Sequence, residues 1–454
     1  MRPPARPLAV IIFLILAGSL HAAEEPTTLN SADTAWMLTA SALVLLMTPG
    51  LAFFYGGLVR SKNMLSVLMQ CFTCMCLMTV VWVIIGYTLA FGDTGTSSFI
   101  GNFDHLFLKG VGYDPGPGGG ISPMLFMAFQ GMFAVIAPAL IIGAFAERMK
   151  FGAFCVFSVA WLLLVYCPVC HWVWCNIDPE VHHGFFGLGA DGALDFAGGT
   201  VVHINAGIAA LAACLILGPR KGYPKKISPP HNLPFAALGA GLLWFGWFGF
   251  NAGSAVAANG SATNAFVVTN IAAAAAGLMW ALIDRLHNGK VTMLGAITGA
   301  VGGLVAITPA SGSVGPMGAL FVGAGASVCA YFAVDVIKRK IGYDDSLDVF
   351  GVHGVAGIWG AIAAGLWATD FVPGNSANGL ITALMTDGIA VKDGMSQLMV
   401  QFKAVLYTIV YSGIVSVVLL KLVDVTLGLR ADPQSEQMGL DLTEHAEHAY
   451  TQLD

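Results

Sequence analysis

The sequence predicts an all-α polytopic membrane protein: eleven transmembrane helices, arranged as two inverted five-helix repeats plus an eleventh helix. Three observations carry that prediction. Of the 454 residues, 57% are hydrophobic and 10% are charged, where soluble chains carry about 25% charged residues, and the mean hydropathy is +0.77. Apolar stretches recur along the chain, each near the roughly 20 residues that cross a bilayer as a helix. The few Lys and Arg residues gather in alternate loops. Such a composition excludes a soluble enzyme, and no nucleotide or nucleic-acid motif is present. The net charge of -6 says little, because the placement of charge matters more than its sum.

The chain opens with Arg2 and Arg6, an apolar run from Leu8 to Leu20, and Ala22 and Ala23 before Glu24. This is the pattern of a cleaved secretory signal over residues 1–23, too short for a spanning helix, so the mature chain begins outside. Eleven apolar segments follow, at 34–58, 66–91, 121–146, 150–174, 197–218, 233–251, 262–284, 290–307, 313–339, 349–370 and 397–426. The loops that should face the cytoplasm hold Arg60 and Lys62, Arg148 and Lys150, Arg220, Lys221, Lys225 and Lys226, Arg285 and Lys290, and Lys338, Arg339 and Lys340. Only Lys109 and Lys392 lie in the opposite loops, and this bias predicts a cytoplasmic carboxyl terminus. The loop 92–120 has the Gly, Pro and Asp content of a water-exposed connection. The membrane domain therefore spans 24–426, and a polar, acidic tail of residues 427–454 has the make-up of short cytoplasmic helices.

Most of the nine cysteines lie in apolar segments, where they behave as small hydrophobes. Cys167, Cys170 and Cys175 cluster with His171 near the end of the fourth segment. Close packing accounts for the cluster and no metal or cofactor is expected. The spacing leaves a bridge such as Cys170 to Cys175 open.

Two segments carry ionisable groups at hydrocarbon depth. One runs from Asp195 through His203 and Asn205 to Gly207, and the other from Asp348 through His353 to Gly357. Such groups should face a protein interior or a pore rather than lipid. The histidines fall in the fifth and tenth segments, at equivalent places in two five-helix halves. An odd number of helices per half makes the halves inverted, a plan that places transport sites between them. Asp195, at a helix start, can cap free backbone N–H groups, and Asp348 is its expected counterpart.

Five strings in order, Pro49–Gly57, Ala128–Phe133, Asp195–Gly207, Gly246–Ala255 and Phe350–Gly354, resemble the ammonium transporter (Amt/Rh) family in its bacterial Amt branch. The similarity covers essentially the whole mature chain. It implies a homotrimer in the bacterial inner membrane, each eleven-helix subunit with its own pore in the lipid bilayer. It further implies a site for ammonium at Trp174, Phe133 and Ser254, supported by Asp195 through backbone or water. Phe133 and Phe250 would stack as the pore gate, and His203 and His353 would line the pore as a proton relay. Gln130 and Trp247 are placed nearby in supporting roles. Strings at Gly428–Arg430 and Gly439–Asp441 resemble those of members regulated by a cytoplasmic PII-type signal protein.

The chemistry behind these assignments is selectivity against potassium. A bare cation in a dry interior costs on the order of tens of kcal/mol by idealised Born solvation, and a cation–π contact returns only about 0.5–2 kcal/mol. Ammonium, unlike potassium, can shed a proton and cross as ammonia. Electrogenic uptake with separate proton transfer is the expectation, and a neutral gas channel or an ammonium sensor are the alternatives. An intramembrane hydrolase is disfavoured because the Ser254 surroundings lack a nucleophile elbow; the chain is not expected to be an enzyme.

Overall fold

Backbone amides in hydrocarbon must be satisfied within the chain, and apolar helices are how this sequence does it. The computed structural model describes residues 28–92, 97–115, 119–175, 192–225 and 228–450. The expected signal, 1–23, lies outside the described residues. Among the described residues, eleven helices are long and apolar enough to cross a membrane. They are α1 (Ser31–Leu58), α2 (Ser61–Phe91), α3 (Pro123–Phe145), α4 (Phe151–Trp174), α5 (Gly199–Leu217), α6 (Leu233–Gly253), α7 (Gly260–Asn288), α8 (Met293–Ala310), α9 (Pro316–Ile341), α10 (Phe350–Trp367) and α11 (Val391–Leu427). Every expected segment is therefore a helix. The largest difference is at α11, which begins six residues early, at Val391 rather than 397, because its polar first turn with Lys392 and Asp393 precedes the apolar run.

Local chemistry sets the helix starts. Side chains of Asn30, Ser122, Asn232, Asn259 and Thr292 accept backbone N–H groups at the starts of α1, α3, α6, α7 and α8. Pro123 and Pro316 occupy first turns, where the missing N–H costs nothing. Among the described residues there are only isolated β-bridges and no named strand.

Packing follows the repeat. α1 lies along α6 in the broadest helix contact, α3 against α1 is matched by α8 against α6, and α3 against α5 by α8 against α10. Small residues permit these crossings. A Cβ on Gly246 would strike Met47, and one on Gly249 the Leu43 side chain. Large apolar side chains such as Leu278 (73% exposed), Leu286 and Val425 face outward, where lipid would solvate them.

The face bearing the basic loops is held by a charge network. Arg60 donates to Glu147 through its backbone N (2.7 Å) and Nε (2.9 Å), and Arg220 Nη1 lies 3.5 Å from the same carboxylate. Arg220 also donates to Asp344 from Nε (3.0 Å) and Nη2 (2.9 Å). Buried Arg148 reaches the Ala144 and Asp344 carbonyls at 2.9 and 2.6 Å. The loops after α1, α3, α5 and α9 are thereby one unit. Burial would raise the Glu147 carboxyl, but the Arg60 and Arg220 guanidiniums overcome it and hold the group below its usual range. At Asp344 burial again opposes, and the Arg220 bonds and charge win.

The tail folds back onto this face through two short helices, Pro433–Met438 and Leu440–His445. Ala431 N donates to the Arg148 carbonyl (2.9 Å), Arg430 Nη1 to the Leu217 carbonyl (2.8 Å), and Ser66 N to Asp441 Oδ1 (2.8 Å).

Replacing Glu147 with Gln leaves Arg60 and Arg220 without their shared carboxylate. A loss on the order of 2–3 kcal/mol is expected, below the about 3–5 kcal/mol of a fully buried pair because the Arg60 side chain keeps 27% exposure. Thermal unfolding in detergent at pH 7 reads it. Because both carboxyls are depressed, the network's stability is present above their unfolded values and lost as pH falls below about 4. An unchanged melting temperature in the acid arm would reject this account.

Candidate functional site

α5 and α10 cross at the centre of the fold with almost no side chain between them. A Cβ on Gly207 would press into the Gly354 backbone, and one on Gly357 would meet the His203 Cβ at 3.2 Å. Both helices open with a π-helical stretch, Gly199–Ile204 and Phe350–Val355, and each stretch carries one histidine. The imidazoles meet at 3.3 Å between their Nδ1 atoms, with ring centroids 5.4 Å apart and planes 20° from parallel. One ring must donate and the other accept.

The two histidines border a narrow cavity of about 10 Å³ walled by apolar residues including Leu51, Ile136, Leu140 and Leu243. Trp247 and Phe250 complete it, stacked beside His203 at 5.4 and 5.9 Å. The Trp247 indole is fixed by a 2.8 Å bond from Nε1 to Thr308 Oγ1, whose own hydroxyl donates to the Leu304 carbonyl. His353 also lines a larger cavity of about 310 Å³ that reaches Arg220, Asp284 and Asp348 near the basic-loop face.

Above the narrow cavity, towards the opposite face, Phe133 and Phe250 lie 4.3 Å apart and are both fully buried. Trp174 stands edge-on to Phe133 at 5.6 Å, and Phe129 packs behind Phe133 at 5.0 Å. Ser254 donates from Oγ to the Phe250 carbonyl at 2.8 Å, so the remaining capacity of its hydroxyl is as an acceptor. The Trp174 indole donates to the Asp195 carbonyl at 2.8 Å. The Asp195 carboxylate does not face the aromatic group. It accepts the backbone N–H groups of Gly198 (3.1 Å), Gly199, Thr200 (2.9 Å) and Val201 (3.2 Å), together with the Thr200 hydroxyl. Asp195 thus fixes the loop whose carbonyl accepts the Trp174 N–H.

The structure therefore brings together Trp174, Phe133, Phe250, His203, His353 and Trp247. Gln130 is buried and not among the residues lining the narrow cavity, and its Oε1 has no partner. Cys167 and Cys170 are free, buried thiols, so the open bridge from Cys170 to Cys175 is not formed. The His171 ring nitrogens face the Ala90 and Ser97 carbonyls at 2.9 and 3.1 Å rather than a metal with those thiols.

One expectation is corrected. The counterpart of Asp195 is Asp345, not Asp348. The 150-residue spacing of the histidines carries Asp195 onto Asp345, whose Oδ2 accepts the Phe350 N–H at 2.7 Å. The same spacing carries Gly198 (φ 113°) onto Asp348 (φ 61°), both in the left-handed region, so Asp348 holds the turn and not the cap. Asp348 instead pairs with Lys338 at 2.6 Å. The spacing was legible in the sequence. Thr308 was not, because a threonine bonding back along its own helix leaves no pattern.

Residues 35–450 match the sequence model of the Ammonium Transporter Family. The chain belongs to the ammonium transporter family. The ammonium transporter of Bacillus subtilis (strain 168) is 50% identical over 420 residues, which are 92% of this chain and 98% of that one. The ammonium transporter Amt1 of Archaeoglobus fulgidus is 42% identical over 426 residues, 93% of this chain and 100% of its own. Among solved structures, Candida albicans Mep2 matches with a TM-score of 0.79 at 34% identity, covering 90% of this chain and 88% of Mep2. A Sensor Amt Protein matches at 0.81 and 28% identity, covering 91% and 98%. Function in this family is transport, so this family member is an ammonium transporter spanning a membrane, and not an enzyme.

In this ammonium transporter, Thr308→Val leaves the buried Trp247 N–H without an acceptor, a cost of about 1–3 kcal/mol. A lower melting temperature with slower methylammonium uptake is expected, and unchanged values for both would remove Thr308 from the site.

Proposed function

We propose that this transporter recruits ammonium on the face opposite the basic loops, deprotonates it, and passes ammonia along the narrow cavity while the proton moves through the paired histidines. The observation that carries this reading is the 3.3 Å contact of two imidazoles bordering an otherwise apolar cavity beneath two phenylalanines in close tilted contact, their planes 41° apart. Such a cavity cannot repay a cation for its lost water. Trp174 and Phe133 offer aromatic faces and Ser254 an acceptor to ammonium, with Asp195 holding the Trp174 acceptor and adding a buried negative charge. Phe133 and Phe250 must part for the substrate to enter. His203 and His353 then hold ammonia by hydrogen bonds and share the proton left behind, since an imidazole pair can donate at one ring and accept at the other. Transport on this reading is electrogenic.

The basic-loop face is cytoplasmic, as the concentration of Lys and Arg there requires. The chain then lies in a bacterial inner membrane with its mature amino terminus outside, after loss of a signal over 1–23, and its tail inside. We propose further that it assembles as a homotrimer in the bilayer and that a PII-type signal protein closes the cytoplasmic exit. Docking of the tail onto three basic loops supports this last point, because a partner bound there would meet the tail and the pore mouth together.

Ammonium-evoked current on a solid-supported membrane tests the mechanism. The unmutated protein should give a current that potassium does not, and His203→Ala should abolish it with the protein still folded. A His203→Ala current equal to the unmutated one would remove the relay. Co-purification of a PII protein from ammonium-shocked but not nitrogen-starved cells tests the partner, and its absence from both would reject it.

A further inference from the structure

The two cap carboxyls related by the 150-residue spacing are not equally occupied. Asp195 receives four backbone N–H groups and a hydroxyl, which fill both oxygens. Asp345 is 1% exposed and receives the Phe350 N–H on Oδ2, with the Val349 N–H also directed at the carboxyl, while no donor reaches its buried Oδ1 in bonding geometry. The nearest ammonium group is turned aside: Lys338 Nζ donates to the Asp345 backbone carbonyl and to Asp348 Oδ1, each at 2.6 Å. A buried carboxylate oxygen with no donor is costly, and a proton on it removes the cost. Lys338 thus spends two of its three N–H donors on the Asp345 carbonyl and on Asp348, and neither of them on the Asp345 carboxyl.

We propose that Asp345 is a positioning residue for His353, and that its protonation decides whether Lys338 holds Asp348 or Asp345. This rests on the reading that His353 lines the transport path. With Asp345 neutral, Lys338 holds Asp348 in its left-handed turn, whose carbonyl accepts the Val352 N–H at 2.9 Å, directly before His353. With Asp345 ionised, Lys338 is drawn to it. Asp348 is released, and the turn leading into the His353 stretch loosens. Asp348 and His353 line the same large cavity, so the change is felt at its wall.

The charged and titratable groups facing Asp345 are Tyr55 from α1, Cys214 from α5, Lys338 from α9, and Tyr343 and Asp348 from its own loop. Arg148, from the loop after α3, is turned to the Asp344 carbonyl and Ser346. Burial pushes the Asp345 carboxyl up, Lys338 opposes and Asp348 adds, with the result at about 6. A raised carboxyl favours the fold while protonated, so its contribution is full at acid pH and is lost as pH rises through about 6.

The experiment uses the full chain in liposomes and compares the unmutated protein with Asp345→Asn, which keeps an acceptor for the Phe350 N–H but cannot ionise. Two readouts are taken across the range below and above pH 6: the infrared band of a buried protonated carboxyl, and the ammonium-evoked current. In the unmutated protein the band should disappear with a midpoint at about 6, and the current should change at the same midpoint. In Asp345→Asn the band should be absent, with the current flat at the acid-side level. Asp345→Ala, which loses the cap, should lower the current roughly fivefold or more at every pH. A midpoint retained in Asp345→Asn, or a carboxyl band titrating in the ordinary range, would overturn the proposal. Loss of current in all proteins with an intact band titration would instead condemn the transport reading, so the two failures are distinct.

Discussion

Two helices that touch backbone to backbone make the rest possible. An imidazole ring is short, and two of them reach 3.3 Å in an apolar interior only if their helices cross without intervening side chains. Gly207 and Gly354 remove those side chains at the crossing. The π-helical stretches add to this, because each widens its helix by an extra residue per turn at the point where a histidine must swing inward. Once the rings meet, their surroundings follow by necessity. Neutral imidazoles need no counter-charge, so the cavity around them is free to be lined by leucine, isoleucine and aromatic side chains.

The charged residues are arranged so that none has to enter that cavity. Asp195 spends its carboxylate on the α5 start, and its influence reaches the aromatic group through a carbonyl bonded to Trp174. On the basic-loop face, Glu147 and Asp344 are each satisfied by arginines from neighbouring loops. This network joins the ends of α1, α3, α5 and α9, and both repeats are anchored in it. A buried ion pair is weak evidence of stability by itself, but here the pairs specify how four loops dock, and the tail docks on the same loops.

Duplication explains the geometry and also where it departs from symmetry. Helix contacts in the first five helices are repeated in the second five, and a single spacing relates histidine to histidine and cap to cap. The copies differ at their starts. A glycine supplies the left-handed turn at residue 198, while an aspartate held by Lys338 supplies it at residue 348. The first cap is saturated with donors and the second is not.

Much of this was written plainly in the sequence. Length and hydropathy fix the number of spanning helices, since a helix in lipid needs about 20 apolar residues and little else. The two histidines at depth and the repeat were legible because polar groups in apolar segments are conspicuous, while the Phe, Trp and Ser positions around them came only from the family resemblance. The Asp348 expectation failed because a sequence shows which carboxyl is nearest a helix but not which backbone N–H groups it can reach. Caps, tautomer partners and free thiols depend on where other segments lie. That is why Thr308 behind Trp247, the unbridged cysteines and the docked tail emerged only in three dimensions. One-dimensional patterns record what lipid demands of each helix separately. The meeting of His203 with His353 depends on how two distant crossings are packed, and packing belongs to the assembled bundle.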